Sequence, residues 1–158
     1  MINSSKAEPL AVGDQVPNAS AFDQNGESVT LESVFADGTT LVYFYPKADT
    51  PGCTKQACNL RDEFESLTAA GIKVIGVSAD SVKAQKAFAD KFRLPFTLLA
   101  DTDREVIAAF GVPMKLSIMP ARQSFLIRDG KIIWRDLKAA PKTQAADALK
   151  AAEASASS

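Results

Sequence analysis

The sequence contains no histidine, and this absence excludes several kinds of chemistry. Without histidine, Ser-His-Asp and Cys-His catalysis are impossible, and so is any histidine-ligated metal site. The sequence has only two cysteines, which cannot complete a tetrahedral zinc site, so we expect no structural metal. Long apolar runs are also missing, since the longest, residues 41–45, is far shorter than the roughly 20 residues that span a bilayer. The chemistry must therefore come from cysteine, hydroxyl, basic or carboxylate side chains, or from a bound cofactor.

The charge of the chain is nearly balanced. Its 158 residues carry 18 basic and 19 acidic side chains, which gives a formal net charge of −1. Such a balance argues against a nucleic-acid-binding protein and against a protein that binds membranes electrostatically. The length predicts one domain over residues 1–158, with flexible ends at residues 1–8 and 154–158 because those segments are small and polar.

The first residues of the chain do not resemble a secretory signal. Residues 1–17 include Lys6, Glu8 and Asp14 and lack the apolar core that such a signal requires. We therefore expect a cytoplasmic protein. In that reducing compartment, two cysteines are more often reactive than joined in a structural disulfide.

Strand patterns alternate with helix patterns along the chain. Short apolar runs predict strands, and apolar residues spaced three and four apart predict helices. The predicted strands are residues 41–45, 72–77 and 95–99, the predicted helices are 53–70, 81–92 and 102–110, a last helix starts near Pro141, and hairpins cover 19–31 and 124–134. This order predicts an α/β fold with a mixed central β-sheet flanked by helices, and with an N-terminal β-hairpin.

Cys53 occupies the position with the clearest chemical signal. It follows Pro51-Gly52, lies in the first turn of a predicted helix and comes shortly after a buried strand. The free backbone N–H groups and the positive end of the helix dipole both favour a thiolate there. Thr50 offers a hydroxyl that can bond the sulfur or a substrate oxygen. From position alone, Cys53 is either an activated nucleophile or a small buried cysteine.

The spacing Pro46-x-x-x-Thr50-x-x-Cys53 resembles the peroxidatic signature of the peroxiredoxins. The longer run FYPKADTPGCTKQACNLRDEF, residues 44–64, is similar to the Q-type branch of that family, also called bacterioferritin comigratory protein. The resemblance extends through IKVIGVSAD and FTLLAD to the segment that begins with Ala121. It implies a thioredoxin-like fold and a thiol peroxidase that reduces hydrogen peroxide and alkyl hydroperoxides without a metal, haem or flavin cofactor.

The resemblance also implies a role for five residues. Cys53 matches the peroxidatic cysteine, whose thiolate attacks the hydroperoxide and becomes a sulfenic acid. Thr50 matches the hydroxyl that bonds the peroxide oxygen, and Pro46 matches the residue that shields the thiolate from water. Arg122 matches the arginine that polarises the pocket and supports the thiolate. Cys58 matches the resolving cysteine, which forms an intramolecular disulfide with Cys53.

The partners implied by the resemblance are a hydroperoxide and a dithiol reductant such as thioredoxin, with no nucleic acid and no membrane, and the protein is expected to be a monomer. Two other functions use the same cysteines. A disulfide reductase of the thioredoxin type needs Cys-x-x-Cys, whereas four residues separate Cys53 from Cys58. A redox-sensing or chaperone-like module would use the pair as a switch, and peroxide turnover distinguishes it from a peroxidase.

The spacing of the two cysteines predicts a local motion. Five residues of ideal helix advance by about 7.5 Å and turn by about 140°, which places the Cα atoms of Cys53 and Cys58 roughly 8.6 Å apart. A disulfide needs Cα atoms about 4.4–6.8 Å apart. We therefore expect residues 50–60 to unfold locally whenever the Cys53–Cys58 bridge forms.

Overall fold

The structure, a computed structural model, describes residues 8–156. The strands are β1 (Ser20–Asp23), β2 (Ser28–Thr30), β3 (Thr39–Phe44), β4 (Ile72–Ser78), β5 (Thr97–Ala100), β6 (Met114–Lys115), β7 (Met119–Pro120), β8 (Gln123–Arg128) and β9 (Lys131–Asp136). The helices are α1 (Leu31–Val34), α2 (Pro51–Asp62), α3 (Phe64–Ala69), α4 (Val82–Phe92), α5 (Glu105–Phe110) and α6 (Gln144–Ala156). Among these elements, the Q-type signature covers the end of β3, the loop that follows it and α2.

Seven of the strands form one mixed sheet in the order β2-β1-β5-β4-β3-β8-β9. Strands β3, β4 and β5 are parallel, as expected where helices connect successive strands. Strand β8 runs antiparallel to β3, and the β1–β2 and β8–β9 pairs are antiparallel hairpins. The predicted α/β fold with a mixed sheet and an N-terminal hairpin is therefore confirmed.

Strand β3 lies inside the sheet, between β4 and β8, and all six of its residues are buried. Its side chains alternate between the two faces. Leu41 and Tyr43 belong to the apolar cluster formed with α2, α3, α4 and α6. Val42 and Phe44 belong to the cluster on the opposite face, formed with α1 and α5. Burial on both faces explains why this strand is continuously apolar in the sequence.

The long helix predicted at residues 53–70 is two helices in the structure. Helix α2 begins two residues earlier, at Pro51, because proline is well suited to the first position of a helix. Glu63 separates α2 from α3, since its φ of −102° and ψ of 12° leave the helical region. Gly71 follows the end of α3 with a φ of 78°, which is where the sequence predicts a helix to stop.

The remaining differences lie toward the C-terminal part of the chain. Strands β6 and β7 form a small second sheet that the sequence did not predict, because Leu116 and Ser117 occupy its turn in place of Gly or Asn. Helix α6 begins at Gln144, three residues beyond Pro141, and extends to Ala156, into the segment expected to be flexible. Residues 1–7 and 157–158, also expected to be flexible, lie outside the described part of the chain.

Candidate active site

Cys53 is the third residue of α2 and lies at the carboxyl end of β3. The first backbone bond of the helix runs from the N–H of Thr54 to the carbonyl of Thr50, at 2.8 Å. Backbone N–H groups of the first turn therefore have no partner within the helix, and the positive end of the helix dipole is at the thiol. The Cys53 side chain is only 1% exposed. The structure thus places a buried sulfur where a negative charge is stabilised.

The guanidinium of Arg122 lies beside this sulfur. Its Nη2 is 3.5 Å from Sγ of Cys53. Arg122 directly precedes β8, and the antiparallel pairing of Gln123 with Phe44 brings the start of β8 to the end of β3. A guanidinium remains charged at physiological pH and can only donate hydrogen bonds. The contact therefore places a fixed positive charge beside the Cys53 sulfur.

A chain of buried amides holds this guanidinium in place. Arg122 donates through Nη1 to Oε1 of Gln56, at 2.8 Å, and Gln56 donates through Nε2 to Oε1 of Gln144, also at 2.8 Å. The hydroxyl of Ser124 donates to the same Oε1 of Gln144. Because arginine can only donate, Gln56 must turn its oxygen toward Arg122 and its amide nitrogen toward the oxygen of Gln144.

Gly52 lets Arg122 approach the start of α2 closely. A Cβ at this position would lie 2.8 Å from Nη2 of Arg122, which is closer than van der Waals contact allows. A side chain at residue 52 would therefore displace the guanidinium from its place beside Cys53.

The loop between β3 and α2 is tied to its surroundings by several contacts. The hydroxyl of Thr50 donates to the backbone carbonyl of Lys47, at 2.7 Å, so the hydroxyl oxygen can still accept a hydrogen bond. The backbone N–H of Ala48 donates to Oδ2 of Asp80, at 2.8 Å. Asp49, with a φ of 62°, forms a salt bridge of 3.0 Å with Lys91. Pro46, at the start of this loop, is half-buried.

Two buried tyrosines of the same apolar cluster complete the surroundings of Cys53. Burial raises the pKa of Tyr43 well above its usual 10.0, and the nearby Tyr45 and Cys53 raise it further. Burial also raises the pKa of Tyr45, whose hydroxyl donates to Oε1 of Gln85, at 2.6 Å. Both phenols are therefore neutral at physiological pH and do not compete with Cys53 for the charge of Arg122.

Comparison with known proteins agrees with this geometry. A sequence model described as the AhpC/TSA family matches residues 12–135. Peroxiredoxin Bcp of Escherichia coli K12 is 49% identical over 131 residues, an alignment that covers 78% of this chain and 83% of the bacterial protein. The chain belongs to the AhpC/TSA family, in its peroxiredoxin Q and Bcp branch. The resemblance noted in the sequence is thereby confirmed.

Other members of this branch include plant proteins and proteins of known structure. The chloroplastic peroxiredoxin Q of Triticum aestivum is 47% identical over 119 residues, which are 75% of this chain but only 54% of the wheat protein. The crystal structure of peroxidoxin BcpB from Mycobacterium tuberculosis matches with a TM-score of 0.84 and 33% identity, covering 90% of this chain and 96% of that one. A peroxiredoxin Q variant from Xylella fastidiosa matches with a TM-score of 0.85 and 26% identity, covering 93% and 98%. The predicted thioredoxin-like fold of the peroxiredoxins is confirmed.

The second cysteine expected from the peroxiredoxin signature, Cys58, lies on the same helix as Cys53. Both cysteines are free thiols, and Cys58 is half-buried. The helix that carries both is continuous over Pro51–Asp62, and the two thiols are not bonded to each other.

The structure thus brings Cys53 and Arg122 into contact and places Thr50 and Pro46 in the loop beside them. Sequence reasoning missed Gly52, Gln56 and Gln144 as members of this site. Gln56 carried a local signal, since it follows Cys53 by about one helical turn and so shares its helix face. Gln144 carried none, because nothing in the sequence relates the start of α6 to α2.

No group of three or more Cys, Asp or Glu side chains within residues 8–156 lies close enough together to hold a metal ion. Over the same residues, no helix has the length and apolar character that a membrane crossing requires.

Proposed function

We propose that this peroxiredoxin is a thiol-dependent peroxidase that reduces hydrogen peroxide and alkyl hydroperoxides. The observation that carries the proposal is the contact of 3.5 Å between the Arg122 guanidinium and the buried sulfur of Cys53 at the start of α2. The bacterioferritin comigratory protein of Xanthomonas campestris, which is 27% identical to this chain, has been described with an alkyl peroxide reduction activity. We infer an antioxidant role for this chain as well.

In the first step, the Cys53 thiolate attacks one oxygen of the hydroperoxide. A sulfur–oxygen bond forms, the oxygen–oxygen bond breaks, and the leaving oxygen takes a proton to become water or an alcohol. The Arg122 guanidinium stabilises the charge that moves onto the oxygens, and the Thr50 oxygen accepts a hydrogen bond from the peroxide O–H. Half-buried Pro46 limits the access of water to the thiolate. Sulfur is oxidised by two electrons, and the product is a Cys53 sulfenic acid.

In the second step, the Cys58 thiolate attacks the sulfur of this sulfenic acid. A sulfur–sulfur bond forms, the sulfur–oxygen bond breaks, and the leaving hydroxide takes a proton from the solvent to become water. The ideal-helix separation of roughly 8.6 Å between the two Cα atoms exceeds what a disulfide spans, so residues 50–60 unwind before the bond forms. Unwinding also moves Cys53 away from Arg122 and exposes the disulfide.

In the third step, an external dithiol returns two electrons and restores both thiols. We propose thioredoxin or a similar dithiol protein as this reductant, and a monomer in the cytoplasm as the working form. The reaction requires no metal or organic cofactor, since Cys53 and Cys58 pass the two electrons of the external dithiol to the peroxide.

The test is a peroxide-consumption assay with thioredoxin, thioredoxin reductase and NADPH. The wild type is expected to turn over continuously. Cys53→Ser is expected to be inactive, because a hydroxyl is hardly ionised near neutral pH. Cys58→Ser is expected to consume about one equivalent of peroxide and then stop in this assay, because its sulfenic acid has no partner in the chain.

Two outcomes would overturn the proposal. Wild-type protein that consumes one equivalent and then stops with thioredoxin present would indicate a redox sensor. Turnover by Cys53→Ser together with inactivity of Cys58→Ser would show that the roles of the two cysteines are reversed.

A further inference from the structure

Two side chains of α2 connect this helix to the start of α6. Asn59 accepts a hydrogen bond through Oδ1 from the backbone N–H of Ala145, at 2.8 Å. Gln56 donates through Nε2 to Oε1 of Gln144, also at 2.8 Å. Cys58 lies between these two residues on α2. The part of the helix that has to unwind is therefore the part bonded to α6.

Of these two hydrogen bonds, only the one between Ala145 and Asn59 joins α2 to α6 without also involving Arg122. Gln56 also holds Arg122, so a change there disturbs the peroxide site itself. Asn59 is half-buried. Its side-chain oxygen accepts from the N–H of Ala145, which lies in the first turn of α6 and has no partner within α6. When α2 unwinds, this N–H loses its acceptor. When α2 becomes helical again, Asn59 again caps the first turn of α6.

We propose that Asn59 is a positioning residue that sets the rate of disulfide formation by latching α2 to α6. The inference rests on the proposed resolving role of Cys58. The latch is the hydrogen bond between the Ala145 N–H and the Asn59 side chain. The Cys53 sulfenic acid persists in the folded site until this latch breaks, so a stronger latch lengthens the lifetime of the sulfenic acid. A longer lifetime allows a second peroxide to oxidise Cys53 to sulfinic acid, so the same bond sets the sensitivity to overoxidation.

The expected change follows from the worth of one hydrogen bond. Asn59→Ala removes the acceptor, and loss of about 1 kcal/mol shifts the opening equilibrium about fivefold toward the open form. Disulfide formation is expected to accelerate by this factor. Alanine has the higher helix propensity, which alone would stabilise α2 and slow the opening. Acceleration in Asn59→Ala is therefore opposite to the effect of helix propensity.

Asn59→Asp provides the complementary change. A carboxylate keeps the acceptor, strengthens the bond through its charge and interacts favourably with the positive end of the α6 dipole. Disulfide formation is expected to slow by about threefold to fivefold in this variant. Lys55→Ala, an exposed position on the same helix, is the control, and its rate is expected to match the wild type within about twofold.

The experiment mixes each reduced protein with one equivalent of hydrogen peroxide, quenches by alkylation and quantifies sulfenic acid and disulfide by mass spectrometry. The rate constant of sulfenic acid formation is expected to be equal in all four proteins. The disulfide rate is expected to rank Asn59→Ala above the wild type and the wild type above Asn59→Asp. At high peroxide, sulfinic acid per turnover is expected to rank in the reverse order.

Equal disulfide rates in all four proteins would overturn the latch while leaving the resolving role of Cys58 intact. Equal acceleration in Asn59→Ala and Asn59→Asp would also overturn it, because the effect would then come from general destabilisation of α2. Peroxide consumption by the wild type without a Cys53–Cys58 disulfide would overturn the resolving step and the latch together.

Discussion

Replacing Gly52 with alanine separates the stability of the peroxidatic helix from its chemistry. Gly52 lies in the first turn of α2 and has no positive φ, so alanine fits its backbone. Alanine also has the higher helix propensity, by about 1 kcal/mol in a helix interior. We therefore expect Gly52→Ala to fold with about wild-type stability, because the gain in helix propensity offsets the strain on the Arg122–Gln56 hydrogen bond. Its reaction with peroxide, however, is expected to be slower.

The slower reaction follows from the position of Arg122. The added Cβ would lie 2.8 Å from Nη2 and 3.6 Å from Cζ of the guanidinium, whereas ordinary contacts between such atoms are about 3.5–4.0 Å. The flexible end of the arginine has to withdraw by about 1 Å. At an effective dielectric constant of about 20, its attraction to a Cys53 thiolate falls from about 4.7 kcal/mol at 3.5 Å to about 3.7 kcal/mol at about 4.5 Å. The proposed role of Arg122 is to stabilise the charge that develops on the peroxide oxygens in the transition state. A loss of about 1 kcal/mol of that stabilisation corresponds to about a fivefold lower rate constant.

Stopped-flow measurement of the second-order rate constant with hydrogen peroxide checks this expectation. Ultraviolet thiolate absorbance against pH reports the ionised fraction of Cys53, and thermal unfolding reports stability. Lys55→Ala serves as the control, since this exposed residue of α2 does not face Arg122. A wild-type rate constant and an unchanged thiolate titration in Gly52→Ala would refute the argument that the position of Arg122 governs the reactivity of Cys53.

Oxidation, the Thr50 hydroxyl and the buried carboxylate of Asp101 each give a further test. After oxidation by one equivalent of peroxide, the amides of residues 54–60 are expected to lose protection from hydrogen exchange, and equal protection in both forms would contradict the intramolecular disulfide. Thr50→Val keeps the shape but deletes the hydroxyl beside Lys47, so the stopped-flow peroxide rate is expected to fall about tenfold with little change in Tm; a wild-type rate would remove Thr50 from the reaction. Burial raises the pKa of Asp101 above its usual 3.8, so the folded protein holds this proton more tightly than the unfolded chain, and stability is lost as pH rises from about 3.8 through the raised value. Urea unfolding at a series of pH values is expected to show this loss in the wild type and a smaller one in Asp101→Asn, and identical slopes would show that Asp101 does not cause it.

Local sequence patterns predicted most of the fold and the part of the site that lies at the start of α2. The apolar run around Leu41 indicated the interior strand β3 because both faces of this strand are buried. The Pro51-Gly52 step marked the start of α2, and with it the position of Cys53, because proline and glycine act on the backbone through short-range sterics. The break at Glu63 lacked a comparable signal, since the backbone bonds from Glu63 to Asn59 and from Leu67 to Glu63 continue across it.

The other half of the site depends on contacts between distant parts of the chain. Arg122 was identified through resemblance to the family, since no periodicity places residue 122 beside residue 53. Gln144 and the bond from Ala145 to Asn59 depend on how α6 packs against α2, which a single sequence does not specify. Residues that contribute to the site only through contacts between distant parts of the chain could therefore be identified only from the structure.

The pairing of β8 with β3 also has a consequence for protein synthesis. Cys53 and Arg122 are separated by 69 positions, and they meet only when β8 adds to the central sheet. A ribosome-bound chain that has not yet emerged beyond residue 121 carries a cysteine without its guanidinium. The proposed role of Arg122 predicts that its thiol reacts with peroxide like an ordinary cysteine, and predicts the same for a chain that has unfolded. On this proposal, sensitivity to peroxide is acquired only when β8 completes the sheet.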